Sequence, residues 1–209
     1  MDVLAAIADE RRRTADLIDA LSPAQLNVPS LCGDWTVKQV AGHLLAAVVS
    51  PPVGLIPLML RSGFSIHRAN SRVAVMMADR PADDLAEGLR KNADNPFKPP
   101  IVGYPGQLTD LQVHGQDMRR PLGLPHGLQL ERLRVSLDFL VGGHAVGFAP
   151  RRRLADLHFE ATDLGWTWGE GPAVEGPAEA LVLAMTGRKV ALSELDGPGV
   201  RILRSRLKA

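Results

Sequence analysis

Leu4, Ile7, Ile18 and Leu21, with Thr14 among them, recur at helical spacing between charged residues, which predicts a first helix over 1–21 that Ser22-Pro23 ends. A polar connection with Pro29, Gly33 and Asp34 follows. Thr36 and Gln39 then form a T-x-x-Q capping box, in which hydroxyl and amide each satisfy an orphan N–H of the helix start. Trp35, just before the cap, is placed to pack on Val40 as a hydrophobic staple. Val37, Val40, Ala41, Leu44, Leu45 and Val48 make one wide apolar face, and Pro51-Pro52 stop the helix. A third helix is predicted over about 55–78. A short one follows Pro81, with Asp83 and Asp84 where the helix dipole favours acid. A proline-stiffened loop covers 93–105, and helices over about 106–120 and 128–140 come next. Beyond residue 150 the period shortens. Arg153 to Thr162 alternates as a strand, and Gly165 to Gly169 is a second short one. Pro177 and Gly187 bracket a helix, and a last helix spans about 198–207. The chain thus reads as mainly α, with a helical bundle over 1–148 and a small α+β region over 149–209.

The stretch 41–60 contains no Asp, Glu, Lys or Arg and is long enough for a membrane span. Pro51, Pro52 and Pro57 would leave backbone groups unpaired in lipid, so the expectation is a buried helix, a turn and a second buried helix. Apolar residues at 45% and charged residues at 22% describe a globular chain. Lys and Arg number 24 against 23 Asp and Glu, which argues against a dedicated nucleic-acid binder. The single Cys32 excludes a disulfide framework within the chain and a Cys-rich zinc site. Arg11, Arg12 and Arg13 follow the start too late for a secretory signal, and a cytoplasmic protein is the simplest expectation.

No P-loop, G-x-G-x-x-G, G-x-S-x-G or H-E-x-x-H motif occurs. The residues left for chemistry are six histidines, the carboxylates and Cys32. Asp110 and His114 stand four apart, so they project from one helix face. Leu108, Leu111, Gly115, Met118 and Leu122 form the apolar stripe of that helix, with His114 on its shoulder and Asp110 just beyond. The spacing leaves two readings open, a solvated carboxylate–histidine pair or two ligands pointing inward. His43 lies on the shoulder of the capped helix, where a satisfied core histidine is the commoner outcome. Together the three make two imidazoles and one carboxylate, a set that leaves open positions on a divalent ion.

The run from Ser30 through Cys32-Gly33-Asp34-Trp35-Thr36-Val37 to Gly42-His43-Leu44 resembles the opening signature of the mycothiol-dependent maleylpyruvate isomerase family, one of the DinB-like metal-binding four-helix bundles. Asp110-Leu111-Gln112-Val113-His114-Gly115-Gln116-Asp117 and the residues to Gly123 resemble its second signature. The tail from Ala161-Thr162-Asp163 through Trp166-Thr167-Trp168-Gly169 to Leu181 resembles its C-terminal region. The resemblance implies a DinB-like four-helix bundle and metal ligands His43, Asp110 and His114, with zinc the usual ion. Where the family commonly has Glu, this chain has the shorter Asp110. It further implies mycothiol or a similar thiol as cosubstrate, with isomerisation or thiol transfer as the reaction. In the isomerase, the thiolate adds to a conjugated double bond, the bond rotates, and elimination restores it. The partners implied are a small organic substrate and the thiol, with a homodimer allowed and neither nucleic acid nor membrane. The competing reading is a non-catalytic small-molecule binding or sensing protein on the same scaffold, its metal site weakened or lost.

Other residues read more plainly. Cys32 is expected to be a small buried residue. Trp166 and Trp168, two apart, share one strand face and are expected to seal the tail onto its neighbours. His67, His126, His144 and His158 have no evident partner set. Arg68 and Arg72 share a solvated face, and Arg151-Arg152-Arg153 is a solvated junction.

Overall fold

Asp2 caps the first helix, α1 (Val3–Ala20), its side chain accepting from the amides of Leu4 and Ala5. The computed structural model describes residues 1–49, 66–125 and 127–207, with side chains from residue 68 in the second stretch. Ser22 then caps a four-residue helix, α2 (Pro23–Leu26), through a Ser22–Gln25 capping box; Ser22-Pro23 therefore both ends one helix and starts another. The bundle continues with α3 (Val37–Val49), α4 (Ile66–Ala78) and α5 (Ala82–Lys91). The Thr36–Gln39 box is present: the Thr36 amide donates to Gln39 Oε1 at 2.9 Å, and the Gln39 amide donates to Thr36 Oγ1 at 3.3 Å. The expected stop at Pro51-Pro52 and the first part of the third predicted helix lie outside the described residues.

One compact unit comprises Asp2–Phe97 and His114–His126. Within it α3 packs on α4, and α1 packs on α5. Ile7, Ile18, Val40, Leu44, Leu45, Leu85 and Leu89 are among its buried apolar side chains. Gly42 permits the close approach of α3 and α4, because a Cβ there would lie 2.7 Å from the Ala74 carbonyl oxygen and 3.0 Å from the Ala78 amide nitrogen. Arg11, followed in sequence by exposed Arg12 and half-buried Arg13, is wholly buried. Its Nη1 donates to the carbonyls of Asn92, Ala93 and Asn95 just past α5.

The other unit comprises Met1, Lys98–Val113 and Gly127–Ala209. It holds α7 (Leu130–Val141), α8 (Arg151–Leu154), β1 (His158–Ala161), β2 (Trp166–Trp168), β3 (Ala173–Gly176), α9 (Ala178–Met185) and α10 (Gly199–Arg206). Helix α6 (Gly103–Arg119) is continuous and contributes residues to each unit. The sheet order is β2-β1-β3, with β2 antiparallel and β3 parallel to β1. Gly169 and Gly171 have positive φ, and a Cβ at either would strike the carbonyl of Leu157 or Asp156, so the tight return from β2 to β3 requires them. Phe159, Trp166, Leu181 and Leu183 share a core with Leu133 and Leu137 of α7. Trp166 is buried and its Nε1 donates to Asp138 at 2.8 Å. Trp168 is half-buried against the same core, so the two tryptophans pack as their alternation predicts. The strand expected from Arg153 begins only at His158, because Arg151–Leu154 closes a helical turn instead.

The protein is thus mainly α, a helical bundle followed by a small α+β region. Among the described residues no helix is long and apolar enough to cross a membrane.

Candidate metal centre

The capping box starts α3 so that Val37, Val40, Ala41, Leu44 and Leu45 face inward and are buried. His43 falls at the edge of that face and is half-buried, as its shoulder position predicts. The loop before α3 is held as an irregular hairpin. Ser30 N–H donates to Trp35 O at 2.8 Å, Val37 N–H donates to Val28 O at 3.0 Å, and Gly33 turns the chain at φ 58°. Leu31 N–H donates to Asp117 O at 3.2 Å, which ties this loop to α6. Trp35 is thereby set with its ring centroid 5.2 Å from that of His43 and 6.2 Å from that of His114. The residue read as a staple for Val40 thus bears on the two imidazoles.

Helix α6 differs from its prediction. Instead of one apolar stripe, residues 106–118 are buried all round except for half-buried Asp110. Two of its buried polar side chains, Thr109 and Gln112, reach Ser136 of α7. Thr109 Oγ1 bonds Pro105 O at 2.8 Å and Ser136 Oγ at 2.9 Å, and Ser136 Oγ donates to Gln112 Oε1 at 2.5 Å. His114 is therefore inside the protein, 8% exposed, rather than on a solvated shoulder.

His43 and His114 come together with ring centroids 4.9 Å apart and planes nearly perpendicular, at 74°. Asp110 stands one turn before His114 on the same helix. One ligand atom from each of His43, Asp110 and His114 lies within 4.8 Å of the other two. Metal bonds of about 2.1 Å allow ligand atoms to stand up to about 4.2 Å apart, so at most small side-chain rotations would bring the three onto one ion. Two imidazoles and a carboxylate are a donor set suited to a borderline divalent cation.

Cys32, His114 and Asp117 form a second group whose ligand atoms lie within 4.8 Å of one another. Asp117 is completely buried, and its Oδ2 is 2.8 Å from Nδ1 of His114. That distance is a hydrogen bond; two atoms sharing a tetrahedral ion would stand about 3.4 Å apart. Asp117 is thus paired with the His114 imidazole through Nδ1. Asp117 escaped the site reading. Its three-residue offset from His114 was visible, but the burial that makes it matter was not. Cys32, expected to be a small buried residue, is half-buried beside His114 and Asp117. Of the remaining histidines, His158 bonds the Gly169 carbonyl at 2.9 Å, and the side chain of His67 and all of His126 lie outside the described residues.

Residues 7–96 match the family model for the mycothiol maleylpyruvate isomerase N-terminal domain. No curated protein matches the chain by sequence. A solved structure, that of the mycothiol-dependent maleylpyruvate isomerase, is similar over 94% of this chain and 91% of its own, with a TM-score of 0.57 and 12% identity, a likeness of fold. The match of residues 7–96 takes in the capped helix and His43, so this part of the chain is similar to the N-terminal domain of the mycothiol maleylpyruvate isomerase family.

Proposed function

We propose that this protein is a metal-dependent enzyme that uses a low-molecular-weight thiol of the mycothiol type to isomerise a small organic substrate or to transfer the thiol to it. The observation that carries this reading is the grouping of His43, Asp110 and His114 within 4.8 Å, beside the buried Asp117 that fixes the His114 ring. The family match and the fold likeness support the same chemistry. His43, Asp110 and His114 would hold the ion, with zinc suited to the donor set. A divalent cation there would supply an open position that favours the thiolate, the reactive form of a thiol.

The residues of the chain have separable tasks. Asp117 Oδ2 accepts a hydrogen bond from Nδ1–H of His114 and so would present Nε2 to an ion. Trp35 limits the swing of both imidazoles by packing against them. Half-buried His43 and Asp110 leave one side of the group reachable by a small molecule. Asp110 is one methylene shorter than Glu, so its reach sets how well the third bond closes.

Metal analysis of protein purified without an affinity tag, with thermal melts before and after adding zinc, tests the reading. The expected result is close to one equivalent of metal and a melting temperature raised by zinc, both lost in His114→Ala. Asp110→Glu is expected to bind zinc as well as the wild type or better. Activity toward unsaturated dicarboxylates and electrophiles is then expected only with added thiol. A protein that takes up no zinc and melts identically with and without it would instead be the non-catalytic binding protein.

A further inference from the structure

The unit containing the sheet holds a cavity of about 860 Å³, a size ample for a small-molecule ligand, and no residue of the histidine group lines it. Its apolar wall includes Leu140, Phe148, Leu154 and Trp168. Its charged lining residues are Arg151 and Arg153, with no Asp or Glu. A neighbouring cavity of about 260 Å³ shares Pro150 and Arg153, adds Arg152 and Arg206, and is likewise lined by no carboxylate.

Arg153 is the charged residue common to both. The junction read as solvated is so only at Arg151 and Arg152, which are exposed; Arg153 is half-buried. Its Nη1 donates to the Met185 carbonyl at 2.8 Å, and its Nε is buried with no hydrogen-bond partner. Burial, then the nearby Arg188 and Arg152, hold its guanidinium below the usual arginine range. Cations gathered at the edge of an apolar hollow raise the local potential and draw an anion to that edge. The frame is built in advance. Arg206 Nη1 donates to the carbonyls of Arg153 and Ala155 at 3.1 and 2.5 Å. The Phe148 ring is held edge-on against Phe139, with centroids 5.2 Å apart.

We propose that this cavity is a binding site for an organic anion with an apolar body, a medium-chain acyl carboxylate, whose carboxylate meets Arg151 and Arg153 and whose chain lies along Phe148, Leu154 and Trp168. Charge complementarity selects the anion, since the lining offers two guanidinium groups and no acid. The apolar wall rewards burial of a hydrocarbon chain and gives little to a small inorganic ion.

The test is calorimetric titration of the full chain with octanoate, octanol and octyltrimethylammonium, which share a chain and differ in charge. Octanoate is expected to bind at one equivalent, at least about tenfold more tightly than the other two, the size of one hydrogen bond to a charged group. Arg151→Glu should weaken octanoate about tenfold and leave the melting temperature unchanged, because that side chain is exposed. Arg153→Met should also weaken it; that residue holds the Met185 carbonyl, so Arg151→Glu keeps the test independent of folding. His114→Ala should bind octanoate like the wild type. Equal affinity for the three amphiphiles, no octanoate binding at one equivalent, or unchanged affinity in Arg151→Glu would overturn the proposal.

Discussion

Asp117→Asn separates a carboxylate that orients a ligand from one that is a ligand. The Asp117 side chain is completely buried, 2.8 Å from Nδ1 of His114. An ionised carboxylate only accepts, so beside it the proton would sit on Nδ1 and the Nε2 lone pair would be left for an ion. Asparagine keeps the shape and removes the charge that makes the imidazole a better donor. Its amide nitrogen, if turned toward Nδ1, would also favour the wrong tautomer. Outer partners of this kind are worth about 10–100-fold in metal affinity, or about 1.4–2.8 kcal/mol. Competition with a chromophoric zinc chelator measures the affinity, and a circular-dichroism melt of the metal-free variant checks the fold. The expected result is a zinc Kd raised by about 10–100-fold in Asp117→Asn and unchanged in Cys32→Ser. Wild-type affinity in Asp117→Asn would refute the orienting role. A loss in Cys32→Ser as complete as in His114→Ala would move the ion to Cys32, His114 and Asp117.

Three further outcomes follow from packing. Gly42→Ala forces a methyl against the Ala74 and Ala78 backbone and should cost about 1–3 kcal/mol in urea unfolding; an unmoved midpoint would mean that α3 and α4 separate freely. Arg11→Ala leaves a void and takes a charged donor from three carbonyls, an expected loss of about 3 kcal/mol or more by the same measurement. Removing residues 150–209 strips Phe159, Trp166, Leu181 and Leu183 from the core they share with Leu133 and Leu137; light scattering should show association, and a monomeric remainder as stable as the full chain would contradict that core.

Where neighbours in sequence supply both partners, the sequence alone determined the structure. The Thr36–Gln39 box forms because donor and acceptor are three residues apart on a chain that must start a helix there. The same holds for the acidic first turn of α5, the Gly187 stop of α9, and Trp166 and Trp168 on one strand face. His43, Asp110 and His114 were likewise legible as one candidate set, through helical spacing and the family resemblance. Tertiary structure decided what depends on distant groups. Arg11 looks like Arg12 and Arg13 until the carbonyls past α5 are brought to it. Spacing alone left the Asp110–His114 pair open to solvent, yet α6 is buried, with Thr109 and Gln112 bonded to Ser136 of a helix distant in sequence. Alternation from Arg153 could not reveal that Arg153 would bond Met185 O and leave the strand to start at His158. Asp117 gained its role only when folding sealed it from water beside His114, since a carboxylate one turn away orients an imidazole firmly only where solvent does not compete.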